Sequence, residues 1–319
     1  MPDILADFLV ETELGYYCRY GNFYIDPKYP VQTALISHAH GDHAVPGHRF
    51  IYATQGTVAF MKHRFTKQKI ETYQVVDYRE SIYFGEVEVL FVPAGHILGS
   101  AQIFMRYQGV SYLYTGDYKL QEDATCEAIE FVPADVLITE TTFANPDTIH
   151  PDPIAEIKKL GTTRHNIMLG CYALGKAQRI IHLLNQYCPQ KTIYVHHNIA
   201  PINRIYNDIG FVKLTYELYH RKVMNEGQDK IYLVPPMTFN NYFKAKNVLR
   251  VFASGWQRLQ RHNDMELYIS DHIDWNDLLT FIEKVQPREI WTVHGEGKKL
   301  CDYFSETLFV RKIQKYVNT

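Results

Sequence analysis

The sequence predicts an α/β protein whose sandwich-type core of short strands and helices is interrupted by an inserted α/β cap. Three observations predict it. Short apolar strands dominate up to about Thr141, at 22–25, 33–36, 87–92, 102–107, 110–115 and 136–139. Strands and helices then alternate, the pattern of a small unit with a parallel sheet. Finally, residues of metal-ligand type recur just past apolar strands, the edge where α/β folds place ligands.

Taken in order, 102–107 and 110–115 form a hairpin around Gly109, and a helix over 58–63 follows Gly56. In the middle, 154–160 reads as a short helix, 166–170 as a strand, and 174–187 as a helix with Ala177, Ile180, Ile181 and Leu184 on one face. Strands at 193–196, 230–234 and 248–253 and a helix at 200–209 complete the insertion. After Gly255 come a strand at 267–270, a helix at 275–285, a strand at 289–293 and a last helix near 298–308. The core is thus expected over 1–150 and 256–319, with the cap over 151–255.

Composition narrows the class. A chain of 319 residues suits one large domain or two ordinary ones. No stretch approaches the roughly 20 apolar residues of a membrane span. Acids at Asp3, Asp7, Glu11 and Glu13 do not fit a signal peptide. Cys18, Cys126, Cys171, Cys188 and Cys301 are scattered without a C-x-x-C pair, as in a reducing compartment, so a cytoplasmic protein without a membrane partner is expected. A net charge of −2 argues against a uniformly basic surface and leaves room for a local basic groove. Most of the 24 tyrosines should be packing residues. Tyr118 and Trp256 qualify as stacking platforms for bases.

The run His38-Ala39-His40-Gly41-Asp42-His43 carries the chemistry, with four ligand-type side chains directly after the strand ending in Ala34-Leu35-Ile36. Imidazole and carboxylate hold Zn²⁺ or a similar ion in hydrolytic sites. Asp26, His96, Asp117, Glu140, His272 and His294 each follow another apolar strand, aiming ten ionisable groups at one rim. Two divalent ions roughly 3.5–4 Å apart could clamp an in-line displacement at a phosphodiester and activate its hydroxide nucleophile. On this reading His38, His40 and His96 hold the first ion. Asp42, His43 and His294 hold the second, and Asp117 bridges. Asp42 also counts among the catalytic groups. Asp26 fits a supporting place behind the ligands, accepting a hydrogen bond from an imidazole or orienting the loop. Glu140 and His272 remain: a histidine held protonated by a carboxylate suits a general acid, although Glu140 by itself reads equally as an ordinary loop acid. The His-rich set suits Zn²⁺, and the shared carboxylates also permit Mn²⁺.

H-x-H-x-D-H, then His96 in Pro93-Ala94-Gly95-His96-Ile97-Leu98-Gly99-Ser100, then Asp117 in Thr115-Gly116-Asp117 resemble the successive motifs of the metallo-β-lactamase fold. Glu140 before Thr141-Thr142-Phe143, His272 in Ser270-Asp271-His272 and His294 in Val293-His294-Gly295-Glu296 resemble its β-CASP nuclease branch. So does the segment Tyr172-Ala173-Leu174-Gly175-Lys176-Ala177-Gln178. The resemblance implies an αββα sandwich with a β-CASP cap and hydrolysis of nucleic-acid phosphodiesters at two metal ions. Within that branch the chain looks most similar to ligase-associated DNA exonucleases. The strings are Thr115-Gly116-Asp117-Tyr118-Lys119 with Thr125-Cys126, Phe252-Ala253-Ser254-Gly255-Trp256, and Ser270-Asp271-His272-Ile273-Asp274-Trp275. DNA is therefore favoured over RNA as substrate, and the family name implies an association with a DNA ligase. The context of His272 departs from that of RNA-processing members, which bears on its general-acid role.

For substrate contact, Gly175 opens a helix beside Lys176, and Arg179 lies one turn on, a combination that suits phosphate. Ser254-Gly255 could offer backbone N–H groups in a tight loop. Each of these also reads as ordinary helix or turn. Lys158-Lys159, Arg221-Lys222 and Lys298-Lys299 read as solvated surface. Competing functions are an RNA-processing nuclease of the same fold, a small-molecule metallo-hydrolase, and a scaffold with a decayed site. The long gap from Glu140 to His272 weighs against the second, and ligands at every motif position weigh against the third.

Overall fold

The computed structural model describes residues 2–69, 72–220, 222–241, 247–295 and 297–316. Glu296 and Arg221, both named above, lie outside these. Along the chain, β1 (Val10–Thr12), β2 (Gly15–Cys18), β3 (Phe23–Ile25), β4 (Thr33–Leu35), β5 (Phe50–Ala53) and β6 (Tyr73–Val75) form one sheet in that order. Helix α1 (Gln55–Arg64) lies between the last two strands, capped by the Thr54 side chain.

The strands β7 (Ile82–Phe84), β8 (Val87–Pro93), β9 (Ala101–Tyr107), β10 (Val110–Tyr114) and β11 (Val136–Glu140) follow. The hairpin of β9 and β10 turns at Gln108 (φ 48) and Gly109 (φ 78), the two left-handed residues of its tight turn. Next come α2 (Pro153–Gly161), β12 (Asn166–Gly170), α3 (Lys176–Tyr187), β13 (Thr192–Val195), α4 (Ala200–Ile209), β14 (Glu217–Leu218), β15 (Lys230–Val234), α5 (Pro236–Asn241), β16 (Val248–Phe252) and α6 (Gln257–Gln260). The chain ends with α7 (Trp275–Val285), β17 (Glu289–Val293), α8 (Lys298–Tyr303) and β18 (Phe309–Lys312).

Contacts divide the chain into two units. The first comprises Met1–Glu122, Glu127–Ile149 and His272–Thr319. Its second sheet runs β18-β17-β11-β10-β9-β8-β7. Period-two alternation explains the layering. Leu35, Tyr112, Tyr114, Ile138 and Trp291 meet between the two sheets. Their strand neighbours Leu113, Leu137 and Ile290 pack outward with Leu278, Phe281 and Ile282 of α7. Ala34 and Ile36 pack outward with Val58 and Met61 of α1. The result is the αββα sandwich, with its strand C-terminal ends free to carry ligands.

The second unit comprises Asp123–Cys126 and His150–Asp271. Its five-stranded sheet, order β14-β13-β15-β12-β16, pairs in parallel throughout. Met168, Tyr194, Tyr232 and Val234 pack with Phe239 of α5 in one apolar cluster, while Ile167, Leu169, Ile231 and Leu233 alternate with them and are also buried.

Two expectations differ from the structure. The return to the core falls at His272, not at 256, because residues beyond Trp256 stay bonded to β16. Asp264 accepts from Arg250 N at 2.7 Å, and Asn263 Oδ1 accepts from Phe252 N at 3.0 Å. Residues 267–270 form no strand. Their N–H groups go to side chains instead: Leu267 N to Gln260 Oε1 at 2.9 Å, and Tyr268 N to Glu156 Oε2 at 2.9 Å. No helix among the described residues is long and apolar enough to cross a membrane.

Candidate metal centre

All ten ionisable groups of the rim belong to the first unit. Asp26 follows β3, His38 follows β4, Asp117 follows β10, Glu140 ends β11 and His294 follows β17. His96 sits in the loop from β8 to β9, and His272 precedes Asp274, the side-chain cap of α7. Asp26 (φ 45) and His294 (φ 49) take left-handed backbone conformations, strain of the kind that collects at functional sites. The loop of His96 is fixed from its far side. Gly99 (φ 81) lies so close to α1 that a Cβ there would meet Thr57 N at 2.5 Å, and its carbonyl accepts from Thr57 Oγ1 at 2.9 Å.

Ligand atoms of His38, His40, His96 and Asp117 lie within 4.8 Å of one another. His40 Nδ1 is 3.1 Å from both His38 Nε2 and His96 Nε2, and Asp117 Oδ2 is 3.5 Å from His38 Nε2 and 3.8 Å from His96 Nε2. Zinc bonds to nitrogen and oxygen of about 2.0–2.1 Å give a tetrahedron with edges of about 3.4 Å, so this donor set fits a zinc-sized ion. The second expected set is looser. His43 Nε2 lies 3.5 Å from Asp117 Oδ2 and 3.8 Å from Asp42 Oδ2, but the Asp42 side chain is 79% exposed. The His294 ring reaches this set through its contact with the His43 ring, 5.3 Å between centroids.

Asp26 stands behind both sets. It accepts from Ser37 N at 2.8 Å, Ser37 Oγ at 2.6 Å, Tyr114 Oη at 3.1 Å and His43 Nδ1 at 2.8 Å. With its own proton given to Asp26, Ser37 Oγ accepts from His38 Nδ1 at 3.0 Å. One carboxylate thereby sets the tautomers of two rings, turning both Nε2 lone pairs inward. Burial disfavours the charged ring at His43, but Asp117 and Asp26 outweigh it and push its pKa up to about 10. Burial and the surrounding histidines hold His38 well below its ordinary value. The carboxylates thus call for positive charge where His43 and Asp117 meet, and the His38 ring stays a neutral donor.

Glu140 is fully buried, and its two oxygens each lie 3.0 Å from His272 Nδ1. Burial alone would raise its pKa, yet His272 outweighs burial, helped by Thr142 Oγ1 (2.6 Å) and Tyr118 N (3.2 Å), and the carboxyl is lowered. Asp117 Oδ2 lies 3.9 Å from His272 Nδ1, joining this pair to the metal set.

Other expectations meet a different environment. Tyr118 is fully buried with its hydroxyl 2.9 Å from Thr139 Oγ1, so it offers no stacking face; Trp256 is 40% exposed. In the second unit, Lys176 and Arg179 are buried rather than displayed to a phosphate. Lys176 Nζ is 3.6 Å from Asp271 Oδ2. Arg179 Nη1 donates to Ser270 O at 2.7 Å, and its Nε is 3.6 Å from Asp123 Oδ2. The N-terminal N–H groups of α3 are also committed, Gly175 N to Gln178 Oε1 and Ala177 N to Tyr172 O. Ser254 N donates to Leu267 O, and Gly255 packs so tightly that a Cβ would meet His150 Cε1 at 2.8 Å. Sequence reasoning passed over Ser37, Thr142, Tyr114 and Lys119. Adjacency to His38 and to Glu140 was the available signal for the first two.

A model of the beta-lactamase superfamily domain matches residues 23–197, and a model of the Zn-dependent metallo-hydrolase RNA specificity domain matches 266–313. A protein of Opitutus terrae named Probable DNA ligase is 27% identical across 96% of this chain, which spans 31% of that protein's length. An RNase J-like protein of Methanocaldococcus jannaschii is 31% identical across 92% of this chain and 88% of its own. Cleavage and polyadenylation specificity factor subunit 3 of Dictyostelium discoideum is 30% identical over 38% of this chain and 16% of its own length. A solved structure from Enterococcus faecalis V583, of unknown function, shares the fold at TM-score 0.60 and 15% identity, covering 88% of this chain and 79% of that one.

Proposed function

The chain belongs to the metallo-β-lactamase superfamily, in its β-CASP nuclease branch, and on that premise we propose that it is a metal-dependent DNA exonuclease. The observation that carries this reading is Asp117, whose Oδ2 stands within 4 Å of His38, His43, His96 and His272 at once. His38, His40, His96 and Asp117 would hold one ion. His43, Asp42 and His294 would hold a second, with Asp117 shared and Asp26 fixing the rings from behind. Zn²⁺ suits this set, and Mn²⁺ is the alternative. Bound there, such ions supply Lewis-acid stabilisation of a phosphodiester and an activated water.

The remaining chemistry belongs to side chains. His272 is 28% exposed at its side chain where His38 and His96 have none, so it can meet a substrate. Glu140 keeps the proton on His272 Nδ1 and favours the charged ring, whose Nε2 proton can pass to the leaving oxygen. The second unit is the β-CASP cap on this reading.

DNA is favoured by the relative named as a DNA ligase, which matches across 96% of the chain, and a functional link to a DNA ligase rests on the same relative. RNA is the second reading. The RNA specificity domain model at 266–313 and the RNase J-like relative favour it. The test is a gel time course on end-labelled single-stranded DNA and the matched RNA with Zn²⁺ or Mn²⁺, with His272→Ala as control. Stepwise shortening of DNA, lost in the variant, supports the proposal. Preference for RNA moves the chain to the second reading, and cleavage of neither overturns both.

A further inference from the structure

Lys119 lies two residues beyond Asp117 in the connection from β10 to β11 and is 2% exposed, an ammonium placed where burial is costly unless it is fully engaged. Its Nζ donates to Gly95 O at 2.6 Å and to His96 O at 2.5 Å. The bonds therefore run from the loop carrying Asp117 to the backbone of the loop carrying His96. The two loops also touch directly. Gly95 adopts φ 72, and a Cβ on it would meet Lys119 O at 2.8 Å.

Neither His96 nor Asp117 is held by a strand, since both stand three residues beyond the end of one. Yet their ligand atoms must keep a separation of 3.8 Å across two loops. We propose that Lys119 is a positioning residue for the metal centre, a buried cationic tie that holds the His96 carbonyl, and hence its ring, at a fixed distance from Asp117. This rests on the metal-centre reading above.

The sign of the effect separates positioning from charge. A lysine that acted only through its charge would repel bound cations, so removing it would tighten metal binding. A lysine that positions a ligand would weaken binding when removed, by the ten- to a hundredfold typical of groups that orient metal ligands.

The metal-stripped full chain, Lys119→Met and Lys119→Gln are each titrated with Co²⁺, followed by absorption in the visible region, and then with Zn²⁺ in competition. The expected result is a Kd at least tenfold weaker in Lys119→Met with an altered cobalt spectrum, and an intermediate value in Lys119→Gln, whose shorter side chain keeps an N–H donor group without the charge. Equal or tighter binding with an unaltered spectrum in a folded Lys119→Met protein overturns the proposal. If Lys119→Met does not fold, the same readouts on Lys119→Gln decide, and a wild-type Kd there overturns it. Failure of the unaltered chain to take up either metal overturns the metal-centre reading, and this inference with it.

Discussion

Both carboxylate oxygens of Glu140 lie 3.0 Å from Nδ1 of His272, although 132 residues separate the two in sequence. Glu140 has no solvent access, and its oxygens accept from Thr142 Oγ1, Tyr118 N and the His272 ring. The pair therefore stands or falls together. Glu140→Gln keeps the shape and removes the charge that favours a protonated ring. The expected outcome is a fall in kcat of about 100-fold, within the usual worth of general acid catalysis, with KM little altered. Metal content measured on the same preparation should stay at the wild-type level, since Glu140 is outside the tighter donor set. An unchanged kcat, or loss of metal, would remove Glu140 from this role.

The candidate ligands stand out in the sequence because two signals coincide in them: an apolar strand, and an ionisable residue just after it. His38, His96, Asp117 and His294 all carry both. Ser37 and Thr142 also follow strands but are not ionisable; hydroxyl residues are common in loops, and only the folded chain puts them against Asp26 and Glu140. Lys176 and Arg179 show a related ambiguity. Their partner Asp271 lies some 90 residues away, and a cation at a helix start looks the same whether it faces a phosphate or a buried aspartate. The strand expected at 267–270 failed likewise, because alternating apolar residues satisfied their backbone through Gln260 and Glu156 instead of a neighbouring strand.

Arg179 ties Asp123 to Ser270 and Asp271, so its removal takes a buried cation from two carboxylates, of which Asp271 keeps Lys176 at 3.6 Å. Arg179→Met should destabilise the chain by about 3 kcal/mol, the scale for breaking a buried pair. Urea unfolding followed by circular dichroism measures it. If stability holds while affinity for a phosphate-bearing strand drops, the arginine is a substrate contact after all, and the burial argument fails.

His48 gives the chain a defined acid sensitivity. Its ring accepts from Val31 N at 3.2 Å, and burial lowers its pKa to about 4 from an ordinary 6.5. Between those values the unfolded chain binds a proton that the folded chain refuses. The stability present above pH 6.5 is therefore lost as pH falls toward 4, by about 3 kcal/mol from this group. His48→Asn, which retains an acceptor for Val31, should flatten the stability profile in that window. Parallel profiles for the two proteins would show that His48 is not the group responsible.

Metal binding should be readable as stability without any substrate. The nitrogens His38 Nε2, His40 Nδ1 and His96 Nε2 face one another at 3.1 Å between successive pairs, an arrangement of lone pairs that an ion relieves. A ligand that binds only the folded chain stabilises it by about 2.7 kcal/mol at a hundredfold excess over its Kd. Zn²⁺ at that excess should raise the urea midpoint of the chelator-treated chain accordingly. In His38→Ala combined with His96→Ala, two of the four donors are gone, and the same Zn²⁺ concentration should stabilise little. The other histidines are unchanged by that pair of substitutions, so an equal response in both proteins would place the ion elsewhere and take the catalytic reading of Asp117 down with it.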